Sequence, residues 1–396
     1  MIQIKVMLRI GQGTMFDVAV VGAGISGSAA AYELARRGHS VVLIDQYGPA
    51  SMASGWTLAG VRQSGRHPAE LPLARSAVAI WQTLAEQLDG ATHYRQVGNL
   101  RCARNETEVA RIEAIVAEHN GLGLEMQLLR GDEVRRIAPL VAESIICASF
   151  CPTDGHADPH ATVASFVEAG RRLGVATHFG EMVTSVRVEG GRATGVATRT
   201  GFIPAGQLVL ATGIYGNTLV EPFGYRVPYE VMSATMMRSV PTTAPHLPVI
   251  GVANGDTTLR QEVGGHFRIG GGHEVWDGQL ELDPWPQVRP PAASVADLIA
   301  RYSAIVPSLS GVKLDRLWCG LIDQTVDTLP VLDVLPQAGG LVLATGFSGH
   351  GFCLGPVTGE ILADLAEGKA SRHPIEAFGI ARFSGQQAGS TVELHG

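Results

Sequence analysis

An α/β fold carrying a second, antiparallel α+β unit is what this chain predicts, and three observations carry the prediction. Near the N-terminus "FDVAVVGAGISGSAAAYELARRGHSVVLIDQ" reads as apolar strand, glycine turn, helix and second apolar strand. A hairpin and a returning apolar strand follow much later in "MVTSVRVE" to "GQLVLATG", and the chain ends its patterned part with "GLVLATGFSGHGFCLGPVTGEILADL". Between these, from about Val227 to Leu314, the pattern changes to longer strands with proline-rich connections such as "DPWPQVRPPAAS".

The first unit justifies the α/β reading most fully. Val18 to Val21 form a continuous apolar run, as a strand buried on both faces requires. Gly22, Gly24 and Gly27 then stand in GxGxxG spacing around Ile25 and Ser26. The first lets the chain turn, the second lets a pyrophosphate approach the backbone, and the third lets the helix pack on the strand. Ala29, Ala30, Leu34 and Ala35 give the helix a small-residue face, and Gly38 ends it. The second strand closes on Asp45, followed by Gln46, where a carboxylate accepts hydrogen bonds from a nucleoside ribose. Strand, turn, helix and acidic end in register predict a Rossmann-like dinucleotide site.

The next segment distinguishes the dinucleotide. A plain NAD fold would pass into another helix, whereas "QYGPASMASGWTLAGVRQSG" is a loop of small residues. Ser54, Gly55, Ala59, Gly60 and Val61 precede Arg62, and small residues suit backbone that lies along a flat ring or a ribityl chain. Trp56, Leu58 and Val61 make it too apolar for a surface loop. FAD is the cofactor this predicts, held non-covalently.

Helical spacing continues at Ala74, Val78, Trp81, Leu84 and Leu88, and again at Val109, Ile112, Ile115 and Val116 before Asn120-Gly121. Asp158 and Pro159 open a helix that ends at Gly174. "ASVADLIARYSAIV" predicts one helix within the second unit. In the last motif Gly346 starts a strand-to-helix turn, and Gly355-Pro356 is expected to lead into the helix "VTGEILADL". The run Gly346, Phe347, Ser348, Gly349, His350, Gly351 and Phe352 is expected to lay backbone N–H groups against the flavin pyrimidine. His350 is read there as a positioning residue, and the two phenylalanines as packing.

Composition sets limits. At 396 residues with 45% apolar and 17% charged residues, the chain is an ordinary globular protein with ample core. A net charge of -7 argues against nucleic acid or an anionic membrane as partner, and no apolar run is long enough to span a bilayer. Five cysteines without paired CxxC spacing suit a reducing, cytoplasmic setting, and Cys147 and Cys151 lack companions for a zinc site, so no metal is expected. Residues 1–14 carry no cleavage-site pattern and are expected to be a dispensable extension.

"VVGAGISGSAAAYELARRG", "ASGWTLAGVR", "LVLATGIYGNTL" and "TGFSGHGFCLGPVTGE", in that order, resemble the D-amino-acid-oxidase-like family of FAD-dependent amine oxidoreductases. "LWCGLIDQTVDTLPVLD" is similar to the strand and loop that precede the last of these, so the resemblance runs from Met15 to about Lys369. It implies a discontinuous FAD unit, here set at 15–90, 145–220 and 315–370, under a substrate unit at 91–144 and 221–314, with 371–396 a tail. It also implies that Val183 and Val186 lie near the adenine, and that Ala211, Thr212, Gly213 and Gly320 bring backbone close to the cofactor.

The implied reaction is oxidation of an amino-acid-type C–N bond by hydride transfer to flavin N5, followed by imine hydrolysis. Secondary amines such as sarcosine, hydroxyproline or an opine are the expected substrates. Such a substrate needs a carboxylate clamp, for which Arg62 is the first candidate, followed by Arg260, Arg268 and Tyr229 in the roof sheet. Monomeric sarcosine oxidases carry a lysine where this chain has Cys353, and an oxygen-activating lysine at a position similar to Arg268. Both departures favour the catalytic subunit of a hetero-oligomer that passes electrons to a partner subunit. His160 resembles the histidine that carries covalent FMN at a subunit interface in hetero-oligomeric sarcosine oxidases, while His156 reads as a turn or cap partner. The alternatives are a stand-alone D-amino-acid or glycine oxidase using oxygen, a partner-binding subunit that holds FAD without turnover, and an NAD-dependent dehydrogenase.

Overall fold

The computed structural model describes residues 15–243 and 247–384, so the expected extension and the part of the expected tail from 385 to 396 lie outside the described residues. Two eight-stranded sheets organise the rest. In the first, Phe16–Val21 lies between Phe202–Leu210 and Val41–Asp45, parallel to both. Ala176–Phe179 continues that parallel set on one side and Leu341–Thr345 on the other, while Val331–Val334 closes an antiparallel edge. The hairpin of Val183–Glu189 and Arg192–Thr198 pairs antiparallel onto Phe202–Leu210.

The apolar run in the first strand has a direct cause. Val18 and Val20 pack into a core shared with the helices Ile25–Arg36, Leu71–Trp81, Pro159–Arg172 and Gly351–Ala366. Ala19 and Val21 enter a separate core on the other face, with Val183, Val186 and Val188 of the hairpin against it. A central strand covered on both faces has no side that can be polar. This is the α/β unit the sequence predicts, with a Rossmann-like order of parallel strands.

The second sheet runs Leu314–Thr325, Tyr229–Ser239, Phe267–Val275, Thr257–Gln261, Val249–Val252, Asn99–Ala103, Cys147–Cys151, Gln127–Arg130. It is antiparallel except where Val249–Val252 pairs parallel with Asn99–Ala103. The helix Ala292–Ile305 fills its core with Leu298, Tyr302 and Ile305.

The expected boundaries shift in two places. Cys147–Cys151 pairs with Asn99–Ala103 and Gln127–Arg130 in the second sheet, although 145–220 was assigned to the first unit. Leu314–Thr325 likewise pairs along Tyr229–Ser239. Strand membership depends on long-range partners, which local composition does not record.

The C-terminal helix also differs from expectation. It begins at Gly351 rather than after Pro356, and Pro356 lies inside it. Its glycines explain why. A Cβ on Gly355 would stand 2.5 Å from Ile25 Cγ1, and one on Gly359 would stand 2.6 Å from Ala29 Cβ. These glycines are contact points with the helix Ile25–Arg36, not punctuation.

Candidate cofactor and substrate site

The glycine turn after the first strand is built to leave a helix end open. Gly22 has φ +105°, which favours glycine, and a Cβ on Gly27 would lie 1.9 Å from Gly22 O. The helix Ile25–Arg36 starts from Gly24 without a side-chain cap. Ser54 Oγ accepts from Ile25 N at 3.0 Å, which ties the following loop to the turn. The remaining N–H groups of a helix's first turn suit an anion.

Two cavities meet over this turn and share Gly24, Ser54, Ala211 and Gly213. The smaller, of about 190 Å³, is lined by Gly22, Asp45, Gln46, Val183 and Thr212 as well. The larger, of about 290 Å³, takes in Ile25, Ser26, Gly60, Arg62, Gly320 and the stretch from Phe347 to Phe352. The two together form a long slot from the end of the second strand to the start of the C-terminal helix. A helix N-terminus that starts from glycine at its middle and side-chain-free walls at Gly22, Gly24 and Gly213 fit FAD laid along it.

Several predicted residues shape walls without lining either cavity. A Cβ on Gly55 would lie 2.0 Å from Ala50 O, and Gly346 turns at φ +69° beside Thr325. Ala59 is held at φ +60°, and Val61 pairs with Gly155. Asp45 lines its cavity, yet its carboxylate already accepts Ala23 N, Tyr47 N and Gly48 N, each at 2.8 Å. Its first task is therefore to hold two loops, with limited capacity left for a ribose. Burial raises its pKa.

The larger correction concerns Tyr229, Arg260 and Arg268, none of which lines either cavity. Tyr229 donates its hydroxyl to Ile214 O at 2.8 Å. Arg260 is fully buried and donates to Leu58 O, with Nη1 3.2 Å from His156 Nδ1. Arg268 donates to Thr57 O at 2.6 Å and to Glu262 at 2.8 Å, over the Trp318 ring. Both arginines donate to the loop that Arg62 ends and line neither cavity. His156 serves Arg260, not a helix cap.

The sequence reading missed the cations that do line the larger cavity. Arg66 and Arg101 join Arg62 there, together with Asn99 and His273. Burial, with Arg66 and Arg101 nearby, holds the Arg62 pKa well below its ordinary value. Burial likewise brings Arg101 down to about 10. Strand alternation held the signal: Leu100 and Cys102 enter the second-sheet core, which turns Asn99 and Arg101 the other way.

His350 sits at the cavity edge with Nδ1 2.9 Å from Glu70 Oε2. Burial and the Arg66 charge push His350 down to about 4, so it is neutral near pH 7. Glu70, hydrogen-bonded to His350 and beside the Arg66 charge, is held below the ordinary carboxylate range despite its own burial. Phe352 lines the cavity and packs on Trp81 with centroids 5.2 Å apart. Asp323, also in the lining, accepts Gly346 N at 2.7 Å, and burial raises it to about 6.

A parallel-sheet unit with this slot, roofed at one end by a second sheet, defines a two-unit flavoprotein oxidoreductase. The family model described as DAO, FAD dependent oxidoreductase, matches residues 17–365, and the chain belongs to that family. It is 27% identical over 381 residues to the glycine oxidase of Geobacillus kaustophilus, covering 94% of this chain and 98% of the relative. To the sarcosine oxidase subunit beta of Rhodobacter capsulatus it is 26% identical, covering 93% and 88%. Among solved structures, L-proline dehydrogenase from P. horikoshii superposes with a TM-score of 0.87 at 25% identity, covering 96% of this chain and 100% of that one.

Proposed function

We propose that this FAD-dependent oxidoreductase oxidises the C–N bond of an amino-acid-type amine. A secondary amine such as sarcosine, hydroxyproline or an opine fits best. The observation that carries the reading is the guanidinium wall of Arg62, Arg66 and Arg101 at the far end of the cofactor slot, which attracts a carboxylate. Bound flavin supplies the two-electron acceptor. The chain supplies binding, orientation and exclusion of water. Its arginines hold an anion, Met236, Ile322 and Phe347 present apolar surface, and neutral His350 keeps the turn before the C-terminal helix in place.

Work as the catalytic subunit of a hetero-oligomer in the cytoplasm belongs to the same reading. The likeness to sarcosine oxidase beta subunits supports it, as does the absence of any lysine from the described cavity linings. All five thiols are free, which suits a reducing compartment. The glycine oxidase likeness favours a second reading, a stand-alone oxidase that uses oxygen. FMN on His160 is the finest part of the proposal. The residue is exposed on the first turn of its helix, and a denatured chain with the plain sequence mass would remove the modification.

Anaerobic mixing of the FAD-loaded protein with sarcosine, hydroxyproline, an opine, glycine and D-amino acids tests the function. Bleaching of the visible flavin band by a secondary amine, without rapid peroxide on re-aeration, is the expected result. Rapid peroxide selects the oxidase, and no bleaching by any member of the panel sinks both readings.

A further inference from the structure

The cavity's guanidinium groups are not equivalent. Arg62 spends Nη1 on the carbonyls of Ser64 and Gly65. Arg66 donates Nε–H to Arg62 O at 3.2 Å, and its Nη1 lies 3.7 Å from Glu70 Oε2. Arg101 makes no side-chain hydrogen bond or ion pair to any other described residue. Yet it is only 8% exposed and lines the cavity.

The acid whose field reaches Arg101 does not explain it. Asp154 contributes to the field at Arg101, but its carboxylate accepts Gln63 N at 2.8 Å, Ser64 N at 3.3 Å and the Ser64 hydroxyl. It serves the turn after Arg62. Space has been left for the guanidinium as well: a Cβ on Gly65 would lie 2.7 Å from Arg101 Nη2. A buried cation without a partner is costly, and a fold tolerates one where a ligand brings the counter-charge.

We propose that Arg101 is the anchor for the substrate's carboxylate, its planar fork taking both oxygens from the second-sheet side of the cavity. This rests on the amine-oxidation reading and deepens it by naming the side chain that selects an amino acid over a simple amine. The anchor stands on the strand Asn99–Ala103, in neither the C-terminal motif nor the roof strand that carries Arg268. Asn99 lies beside it in the lining and donates to Ser64 Oγ at 3.3 Å, which fixes the floor of the site.

The FAD-loaded variants Arg101→Gln and Arg101→Lys provide the test. For the amino acid that bleaches the wild-type flavin, Arg101→Gln is expected to raise KM about 100-fold with far less change in kcat, as loss of a charged hydrogen-bond pair requires. The matching N-methyl amine without a carboxylate should keep its KM, so that the preference for the amino acid collapses. Arg101→Lys should recover part of it. Acetate offers a readout that needs no turnover: it should perturb the visible flavin band of the wild type and not that of Arg101→Gln. An unchanged unliganded band shows that the variant has folded. Equal acetate binding by both proteins, or equal KM increases for acid and amine, would overturn the anchor. Should no amine reduce the wild type while acetate still distinguishes it from Arg101→Gln, the amine reading fails and the anion anchor stands.

Discussion

Histidine against a carboxylate is normally held in its charged form, but His350 meets Glu70 in a buried place that also contains Arg66. Burial and the arginine together outweigh the carboxylate and depress the His350 pKa to about 4. Its contribution to stability is therefore fully present above the unfolded value of 6.5 and lost as pH falls toward about 4, because the unfolded chain binds the proton first. His119, His160 and His273 are depressed too and act in the same direction. Urea midpoints should fall across that window, and His350→Gln should flatten the fall without abolishing it. An unaltered slope would show that His350 does not govern it. At this scale the sequence was an uneven guide. GxGxxG in register with a strand, a helix and the acidic Asp45 is a local pattern, so Gly22, Gly24 and Gly27 were legible. That Arg66 and Arg101 line the cavity while Arg260 and Arg268 do not was not legible, because an arginine's partner is set by the fold. Arg268 meets Thr57, and no local pattern brings those two together.

Helices were legible as elements wherever their apolar stripe was regular, as in Pro159–Arg172 with Asp158 accepting from Ala161 N at 2.8 Å. The C-terminal helix was misread at its start because glycine and proline usually end helices, and here they lie within one. Packing overrides propensity: Gly355 and Gly359 let the helix settle on Ile25–Arg36, whose N-terminus opens on the cofactor slot. Gly359→Ala gains about 1 kcal/mol of helix propensity, yet forces its methyl against Ala29. Overpacking of this kind costs about 1–3 kcal/mol, so the net change should be a lower Tm and weaker flavin retention. Gly121→Ala is the control. It lies at the end of the helix Glu106–Gly121 with nothing within 4 Å of a Cβ, so its Tm should hold or rise. Thermal melts of the pair decide the point; equal Tm values would mean the helices separate at little cost.

For the whole molecule, the second sheet is tied to one loop that walls the cofactor slot. Trp318 Nε1 donates to Trp56 O at 2.9 Å, Arg268 to Thr57 O at 2.6 Å, and Arg260 to Leu58 O. Side chains of the second sheet thus take three successive carbonyls of the loop that walls the cofactor slot. Composition could announce a second unit but not this clamp, because strands far apart in sequence, such as Cys147–Cys151 and Leu314–Thr325, join that sheet only by long-range pairing. The clamp makes cofactor affinity depend on residues outside the cavity. Arg268→Met with Glu262→Gln removes the donor without leaving the Glu262 carboxylate short of its 2.8 Å partner. The double variant should fold and bind FAD about tenfold or more weakly, the size expected for loss of a charge-assisted hydrogen bond to a buried carbonyl. Once saturated with FAD it should keep its KM for the amine, because Arg268 lies outside the cavity lining. The ratio of visible to ultraviolet absorbance in the isolated protein, followed by FAD titration, measures the first effect. Steady-state kinetics at saturating FAD measures the second. A raised KM with undiminished FAD affinity would return Arg268 to the substrate site.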